Sequence, residues 1–202
     1  MKEKNKKMSY KVFMITLLII TIILGALTLY RRYKPNNVTS FQAPGLKISQ
    51  DYLVPNKYSR SEIPLKHVSG IVVHYTANPG STAKNNRNYF NNLRKTHTTY
   101  ASSHFIVGLK GEIIQCLPLN EIAYASNQRN KDTISIETCH PDSTGKFNKQ
   151  TYASLQKLVR ALMREYHLSR KDVIRHYDVT GKICPKYFVD HPEEWERFIN
   201  SL

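Results

Sequence analysis

An uncharged apolar run near the N-terminus is the strongest constraint on how this chain can fold. It extends over residues 12–30 (VFMITLLIITIILGALTLY), with only Thr16, Thr21 and Thr28 as interior hydroxyls. A helix that rises 1.5 Å per residue would extend about 28 Å over this run, close to the ~30 Å hydrocarbon core of a bilayer. The run therefore predicts one N-terminal transmembrane helix.

The alternative for this run is a cleaved signal peptide. Such peptides have an apolar region of roughly 7 to 15 residues followed by small residues at the cleavage site. Here the run is longer and ends in LYRR, so we expect an uncleaved anchor over residues 12–30. Five lysines lie in the basic segment 1–11, against three basic residues in 31–34. The positive-inside rule therefore predicts a single-pass cell-membrane protein with a cytoplasmic N-terminus and an extracytoplasmic main domain.

Net charge and cysteine content exclude some classes of protein for residues 35–202. The net charge is +15, from 30 Lys and Arg against 15 Asp and Glu, and residues 35–202 hold 22 of the bases and 14 of the acids. A moderately basic domain suits a membrane surface, nucleic acid or an anionic cell-wall polymer. No nucleic-acid reading motif accompanies the charge, which disfavours nucleic acid. Three cysteines exclude a disulfide-dense scaffold.

The chain after the apolar run divides by composition. Residues 35–50 contain two prolines, a glycine and polar residues without a sustained period, which is typical of a tether. We therefore expect a linker over residues 31–50 and a single domain over residues 51–202. About 150 residues are enough for one hydrophobic core.

Short apolar runs alternate with helical patterns in this domain. Runs rich in Ile and Val predict four strands, at 69–76, 104–109, 112–117 and 133–138. Lys110 and Gly111 predict a hairpin between the second and third. Helical spacing follows Ser81 and Asn148, and a short helix is predicted from Pro192. This alternation predicts an α/β fold with a central β-sheet flanked by helices.

Three polar residues in or after these runs are candidate metal ligands. His74 ends the run of Ile71, Val72 and Val73, and His176 and Cys184 lie in the loop RHYDVTGKICP at 175–185. Gly181 permits the positive φ that lets such a loop double back. Two imidazoles and a thiolate would form a three-ligand zinc set with the fourth position open. The alternatives are hydrogen-bonded or surface histidines and a buried free thiol.

Two charged residues are candidate catalytic groups. Strand alternation places Glu137 opposite Ile134 and Ile136 in TISIETC, where a carboxylate is costly unless it is paired or functional. Glu137 is therefore a candidate general acid or base toward water activated by a hydrolytic metal. The alternative is a glutamate exposed to solvent at a strand edge. Lys182 lies two residues before Cys184 and suits an oxyanion contact, with a solvated loop lysine as the alternative.

Four ordered segments carry a family resemblance. They are GIVVHYTANPG at 70–80, SSHFIVGLKGEIIQCLP at 102–118, TISIETC at 133–139 and RHYDVTGKICP at 175–185. In order and spacing the chain resembles, over about residues 55–202, the zinc-dependent N-acetylmuramoyl-L-alanine amidases of the amidase type 2 family. That family includes phage endolysins, bacterial autolysins and peptidoglycan recognition proteins. The resemblance implies a central mixed β-sheet flanked by helices, with zinc in a surface groove.

The resemblance also assigns roles to residues. It implies that His74, His176 and Cys184 bind one Zn²⁺ per chain, that Glu137 is the catalytic acid/base and that Lys182 stabilises the oxyanion. The implied reaction is hydrolysis of the amide between N-acetylmuramic acid and L-alanine in peptidoglycan. The implied partners are peptidoglycan, the lipid bilayer through the N-terminal helix, and anionic wall polymers, with no nucleic acid.

One position departs from the family pattern. Some members place a tyrosine directly before the histidine that matches His104, and here Ser103 occupies that position. Acid/base work would therefore fall on Glu137. His104 lies beside the predicted groove and is a candidate substrate contact, with a structural hydrogen-bonding role as the alternative.

Two other functions compete with the metallohydrolase. One is a membrane-anchored peptidoglycan receptor without catalysis. Receptors of this fold typically lack the cysteine ligand, whereas Cys184, Lys182 and Glu137 are all present here. The other is a thiol hydrolase with Cys184 as nucleophile and His176 as base.

Overall fold

A computed structural model describes residues 2–33 and 35–202 of the chain, with side chains described for 10–30 and 35–202. These residues form two compact units, an N-terminal helix and a globular unit that begins at Pro35. The helices and strands, in chain order, are α1 Lys2–Tyr33, β1 Ile48–Gln50, β2 Gly70–Val73, α2 Ala83–Thr96, β3 Phe105–Val107, β4 Ile113–Gln115, β5 Thr133–Thr138, α3 Lys149–Glu165, β6 Val173–Arg175, α4 His176–Thr180, α5 Lys186–Asp190 and α6 Pro192–Asn200.

Helix α1 contains the predicted apolar segment. The stretch Tyr10–Tyr30 is long and apolar enough to cross a membrane, and none of its side chains is buried within the structure. Its hydroxyls are satisfied within the helix, since Thr16 donates to the carbonyl of Val12 at 2.9 Å and Thr21 to that of Leu17 at 3.1 Å. Such back-bonding removes the cost of placing a hydroxyl in an apolar environment.

The globular unit is built on one six-stranded sheet of order β1-β4-β3-β5-β2-β6. Strands β3 and β4 pair antiparallel as the predicted hairpin, and the other neighbouring pairs are parallel. The sheet is therefore mixed, as expected. Each predicted strand is present, although three are shorter than their apolar runs, and β5 has the predicted bounds.

Helices cover both faces of the sheet. One face packs a core cluster that includes Ile71 and Ile136 of the sheet with Leu155 and Leu158 of α3. The opposite face packs Ile106, Ile114 and Cys116 against Ala83, Phe90 and Leu93 of α2. The observed architecture is thus a sheet between two helical layers, which agrees with the predicted fold class.

Local capping explains where the helices begin. Asn148 caps α3 by accepting a hydrogen bond from the backbone N–H of Thr151 at 2.9 Å, as its position predicts. Helix α6 begins at Pro192 with Glu193 and Glu194 in its first turn, where the helix dipole favours acidic side chains.

The predicted linker boundary is wrong. Residues 35–50 belong to the globular unit, because Phe41 is buried and β1 pairs in parallel with β4. Gln115 holds this segment in place, since its side-chain oxygen accepts the N–H of Phe41 at 3.0 Å. The domain therefore begins at Pro35 rather than at Asp51. A three-residue edge strand carries too little apolar pattern to be recognised among prolines and polar residues.

The three cysteines are free and buried. Burial raises the pKa of the Cys139 thiol to about 12, and it also raises the pKa of the Cys116 thiol. Both side chains pack in the core cluster beneath α2.

Candidate functional site

The candidate site lies at the carboxyl ends of three neighbouring parallel strands. Strand β2 pairs with β5 on one side and with β6 on the other, and Val73 is in register with both Ile136 and Arg175. The next residues along these strands are His74, Glu137 and His176. Parallel pairing therefore gathers three residues that are up to 102 positions apart in the sequence.

His74, His176 and Cys184 form a compact group of donors. One ligand atom from each lies within 4.8 Å of those of the other two, and all three side chains are buried. The Cys184 Sγ atom lies 3.8 Å from the Nδ1 atom of His74, and the two imidazole centroids are 4.8 Å apart. A tetrahedral zinc ion with bonds of 2.0 to 2.3 Å would separate nitrogen and sulfur ligands by about 3.5 Å.

The other nitrogen of each ring has a hydrogen-bond partner. The His74 Nε2 atom lies 3.1 Å from Ser126 Oγ, which lies 3.1 Å from Ser135 Oγ. The His176 Nε2 atom lies 3.2 Å from Asn127 Oδ1. Metal-binding histidines almost always hold their second nitrogen in this way, which sets the ring orientation.

The second ring nitrogen of His176, Nδ1, tests whether the site fits a metal ion. This atom is buried and has no hydrogen-bond partner among the described residues. An unpartnered buried nitrogen costs free energy unless a ligand satisfies it. With a sulfur and a second imidazole nitrogen nearby, the donor set is that of a three-ligand zinc site.

Burial sets the protonation states of this group. It lowers the pKa of His74 well below the ordinary value, helped by His176 and Lys182, and it lowers the pKa of His176. Neutral imidazole is the form that binds metals. Burial raises the pKa of the Cys184 thiol to about 12. Without a cation the group is therefore neutral, and a divalent cation would stabilise the thiolate.

The segment between His176 and Cys184 turns back on itself as predicted, although its first residues form the helix α4 rather than a loop. Gly181 adopts φ 78°, and the N–H of Tyr177 donates to the carbonyl of Cys184 at 2.9 Å. Asp178 braces the start of the loop by accepting the N–H of Arg175 at 2.8 Å and its guanidinium at 2.7 Å. These contacts hold the two ligands of the loop at a fixed separation.

Glu137 lies beside the donor group with an unsatisfied carboxylate. Its Oε2 atom is buried and has no hydrogen-bond partner among the described residues. Burial raises its pKa to about 8, and the charge of Lys182 opposes this shift. A carboxyl group with a pKa near neutrality is suited to both accept and donate a proton.

Lys182 lies on the exposed side of the site. Its positive charge acts to lower the pKa values of His74, Glu137, His176 and Cys184. The sequence hypothesis therefore names five residues that the fold brings to one place.

His104 differs from these five residues in its surroundings. His104 is fully buried, its Nδ1 atom accepts the N–H of Ser135 at 3.0 Å and its Nε2 atom lies 2.9 Å from the carbonyl of Glu121. Burial lowers its pKa to about 4. Both ring nitrogens are occupied, so the geometry favours the structural alternative over a substrate contact.

Ser103 is equally committed to the fold. Its hydroxyl lies 2.8 Å from the carbonyl oxygens of both Phe105 and Ser135, to one of which it donates, and it accepts the N–H of Glu137 at 3.2 Å. It therefore holds in place the strand that carries Glu137.

Sequence reasoning did not identify Ser126 and Asn127. They are adjacent residues at the start of a 3-10 turn, Asn127–Lys131, and each contacts one of the two imidazoles. A polar loop has no period that would mark them. The only available signal is their position shortly before the strand that carries Glu137.

The chain is similar in sequence to known proteins. The family model described as N-acetylmuramoyl-L-alanine amidase matches residues 64–187. The N-acetylmuramoyl-L-alanine amidase CwlL of Bacillus licheniformis is 35% identical over 166 residues, which are 76% of this chain and 46% of CwlL. BlyA of Bacillus subtilis (strain 168), also named N-acetylmuramoyl-L-alanine amidase, is 33% identical with the same coverage.

Solved structures show the same fold. The catalytic domain of XlyA superposes with a TM-score of 0.65 at 31% identity, over 77% of this chain and 99% of that domain. PlyL superposes with a TM-score of 0.66 at 28% identity, over 77% and 96%. The chain spans about half the length of the curated relatives it matches. Because the family model covers more than half of the chain, this protein belongs to the N-acetylmuramoyl-L-alanine amidase family.

Proposed function

We propose that this chain is a zinc-dependent hydrolase that cleaves the amide between N-acetylmuramic acid and L-alanine in peptidoglycan. The observation that carries the proposal is the donor group of His74, His176 and Cys184 beside the buried carboxylate of Glu137. Family membership supports the substrate class, since the matched relatives are named for this activity.

In this proposal the two imidazoles and the thiolate hold one zinc ion. When bound there, zinc supplies Lewis acidity toward the scissile carbonyl and makes the attacking water more acidic. Ser126 and Asn127 keep the rings of His74 and His176 oriented through their outer nitrogens.

Glu137 moves the proton. Its carboxylate accepts a proton from the attacking water and donates it to the nitrogen of the leaving L-alanine, because amide cleavage requires a protonated amine. Burial favours the protonated state between these steps, and the nearby Lys182 charge favours the return to carboxylate. The two effects keep the group able to work in both directions.

Lys182 acts on the carbonyl oxygen. Its side chain is exposed and its charge acts on Glu137, which supports a role in stabilising the negative charge that develops on that oxygen. Loss of one such donor typically lowers the rate by ~10²- to 10³-fold.

The thiol-hydrolase alternative is less compatible with the site. A nucleophilic cysteine requires a lowered pKa, whereas burial and the charge of Glu137 raise the pKa of Cys184 to about 12. The sulfur also contacts His74 rather than His176, the base that this alternative requires.

The activity is tested by digesting purified peptidoglycan with residues 35–202, the whole globular unit. We expect new alanine amino groups without new reducing sugar ends, loss of activity with a chelator and recovery with zinc. New reducing ends would indicate a glycosidase, and binding without release would indicate a receptor. Activity that survives chelation and is lost on alkylation would indicate a thiol hydrolase.

The ligand set is tested by Cys184→Ser. Because the thiolate is the only anionic ligand of the set, the variant should lose most bound zinc, measured by metal analysis after dialysis against a weak chelator. Cys116→Ser is the matched control, since this thiol is also buried but lies in the core cluster under α2. Full zinc content in Cys184→Ser would reject the ligand set.

The role of Glu137 is tested by Glu137→Gln. The variant should keep its zinc and lose ~10²- to 10⁴-fold in kcat, because the amide cannot accept the proton of the attacking water. Glu196→Gln, on the exposed side of α6, is the control and should leave kcat unchanged. Near-normal turnover in Glu137→Gln would remove this residue from the mechanism.

We also propose that α1 anchors the protein in the cell membrane, with residues 1–11 in the cytoplasm, 12–30 in the bilayer and the globular unit outside. The apolar stretch Tyr10–Tyr30 and the lysines before it support this arrangement. The basic excess of residues 35–202 supports attraction to anionic wall polymers at the same location.

Fractionation of cells tests the anchor. The full chain should stay in the membrane pellet after washes with high salt and alkaline carbonate, because burial of the apolar stretch is insensitive to ionic strength. Residues 35–202 alone should be released by the salt wash. Recovery of a shortened, secreted chain would instead identify residues 1–34 as a cleaved signal.

A further inference from the structure

Three tyrosines form a continuous row on the surface of the globular unit. The ring centroids of Tyr58 and Tyr100 are 5.1 Å apart, and those of Tyr100 and Tyr124 are 5.7 Å apart. Tyr100, at the centre, is 56% exposed, whereas its two neighbours are half-buried. Exposed aromatic surface of this kind is a common feature of binding sites.

The row is held rigidly despite its exposure. The N–H of Ala101 donates to the carbonyl of Tyr58, and the N–H of Ser102 donates to that of Tyr124, both at 3.1 Å. The N–H of Tyr124 donates in turn to Ser102 Oγ at 2.9 Å. The two residues that follow Tyr100 are therefore bonded to the backbones of Tyr58 and Tyr124, which limits the conformational entropy lost when a ligand binds.

The outer end of the row is also fixed. Tyr58 stacks on His97, with centroids 4.4 Å apart and an interplanar angle of 17°. The Lys57 ammonium lies 5.0 Å from the centroid of the same ring. The faces of Tyr58 are thus covered by protein groups, and Tyr100 provides the accessible ring.

The row lies close along the chain to residues that contact the proposed catalytic site. Tyr124 precedes Ser126, which contacts the imidazole of His74, by two residues. Tyr100 precedes Ser103, which contacts the backbone of Glu137, by three residues. At ~3.6 Å per residue at most, the Cα atoms of Tyr124 and Ser126 lie within about 7 Å of each other, so a polymer bound at the site can extend to the tyrosines.

We propose that Tyr100, supported by Tyr58 and Tyr124, is a stacking subsite for the sugar rings of the glycan strand. This inference rests on the proposed function, because the amide cleaved in that reaction is attached to the sugar of a polysaccharide. Pyranose rings present flat faces of C–H groups, which pack on exposed aromatic rings. The exposed hydroxyls of Thr98 and Thr99 lie next to Tyr100 in the sequence and can hydrogen-bond to sugar hydroxyl and acetamido groups.

Calorimetry on the full chain in detergent tests the subsite. The probe is a glycan strand from which the stem peptides have been removed, so binding does not depend on hydrolysis. Tyr100→Ala should weaken binding by about tenfold, as expected for loss of one aromatic stack, and Tyr100→Phe should bind like the unaltered chain. Tyr89→Ala is the control, since Tyr89 is 53% exposed on α2 outside the row.

Kinetics provide a second readout. Tyr100→Ala should raise KM for polymeric peptidoglycan with little change in kcat, and it should leave cleavage of a single muramyl peptide unchanged, because the subsite contacts only additional sugars. Its zinc content should be unaltered. Equal loss on the short substrate, an equal effect of Tyr89→Ala, or tighter binding of a single-stranded oligonucleotide than of glycan would overturn the inference.

The outcomes separate this inference from the proposed function. Glycan binding that depends on Tyr100, without amide cleavage by the unaltered chain, would support the subsite and reject the hydrolase. Amide cleavage with normal glycan binding by Tyr100→Ala would support the hydrolase and reject the subsite.

Discussion

The parallel pairing of β2 with β5 and β6 is the constraint on which the candidate site depends. Only parallel neighbours end at the same edge of a sheet, and this pairing brings His74, Glu137 and His176 together. Cys184 then has to return only eight residues along the chain, which the turn at Gly181 allows. The helical layers that bury the sheet on both faces therefore also support the site.

The same burial that stabilises the sheet determines the chemistry of its edge. Two imidazoles, a thiol and a carboxyl lie where charge is poorly solvated, and the pKa of each is shifted toward its neutral form. A buried nitrogen of His176 and a buried oxygen of Glu137 are left without partners. These features are costly in a purely structural core, and a bound cation with a polar substrate would satisfy them.

The sequence predicted those parts of the fold that have a strong local pattern. The Ile- and Val-rich runs marked four strands, and Asn148 and Pro192 marked the starts of two helices, because β-branched runs and caps act over a few residues. Strand β1 was missed because three residues between prolines and polar side chains carry no period. Its partner β4 lies 65 positions away, so only the assembled sheet defines it.

Only some residues of the candidate site could likewise be predicted from the sequence. Histidine, cysteine and glutamate at strand ends can be recognised from residue type and position, and the motifs around them resemble a known family. Ser126 and Asn127 could not be found, because a serine and an asparagine in a loop are ordinary until the positions of two distant imidazoles are known. Tyr100 is likewise unremarkable in the sequence, and only its contacts with Tyr58 and Tyr124 distinguish it.

The burial of the free thiols of Cys116 and Cys139 determines how the folded chain responds to oxidising conditions. Both are sealed in apolar surroundings that keep them protonated, and protonated thiols are poor partners in disulfide exchange. The core therefore requires no oxidase or isomerase to reach its final state. In the folded chain these two thiols are therefore protected from disulfide exchange in reducing and oxidising compartments alike.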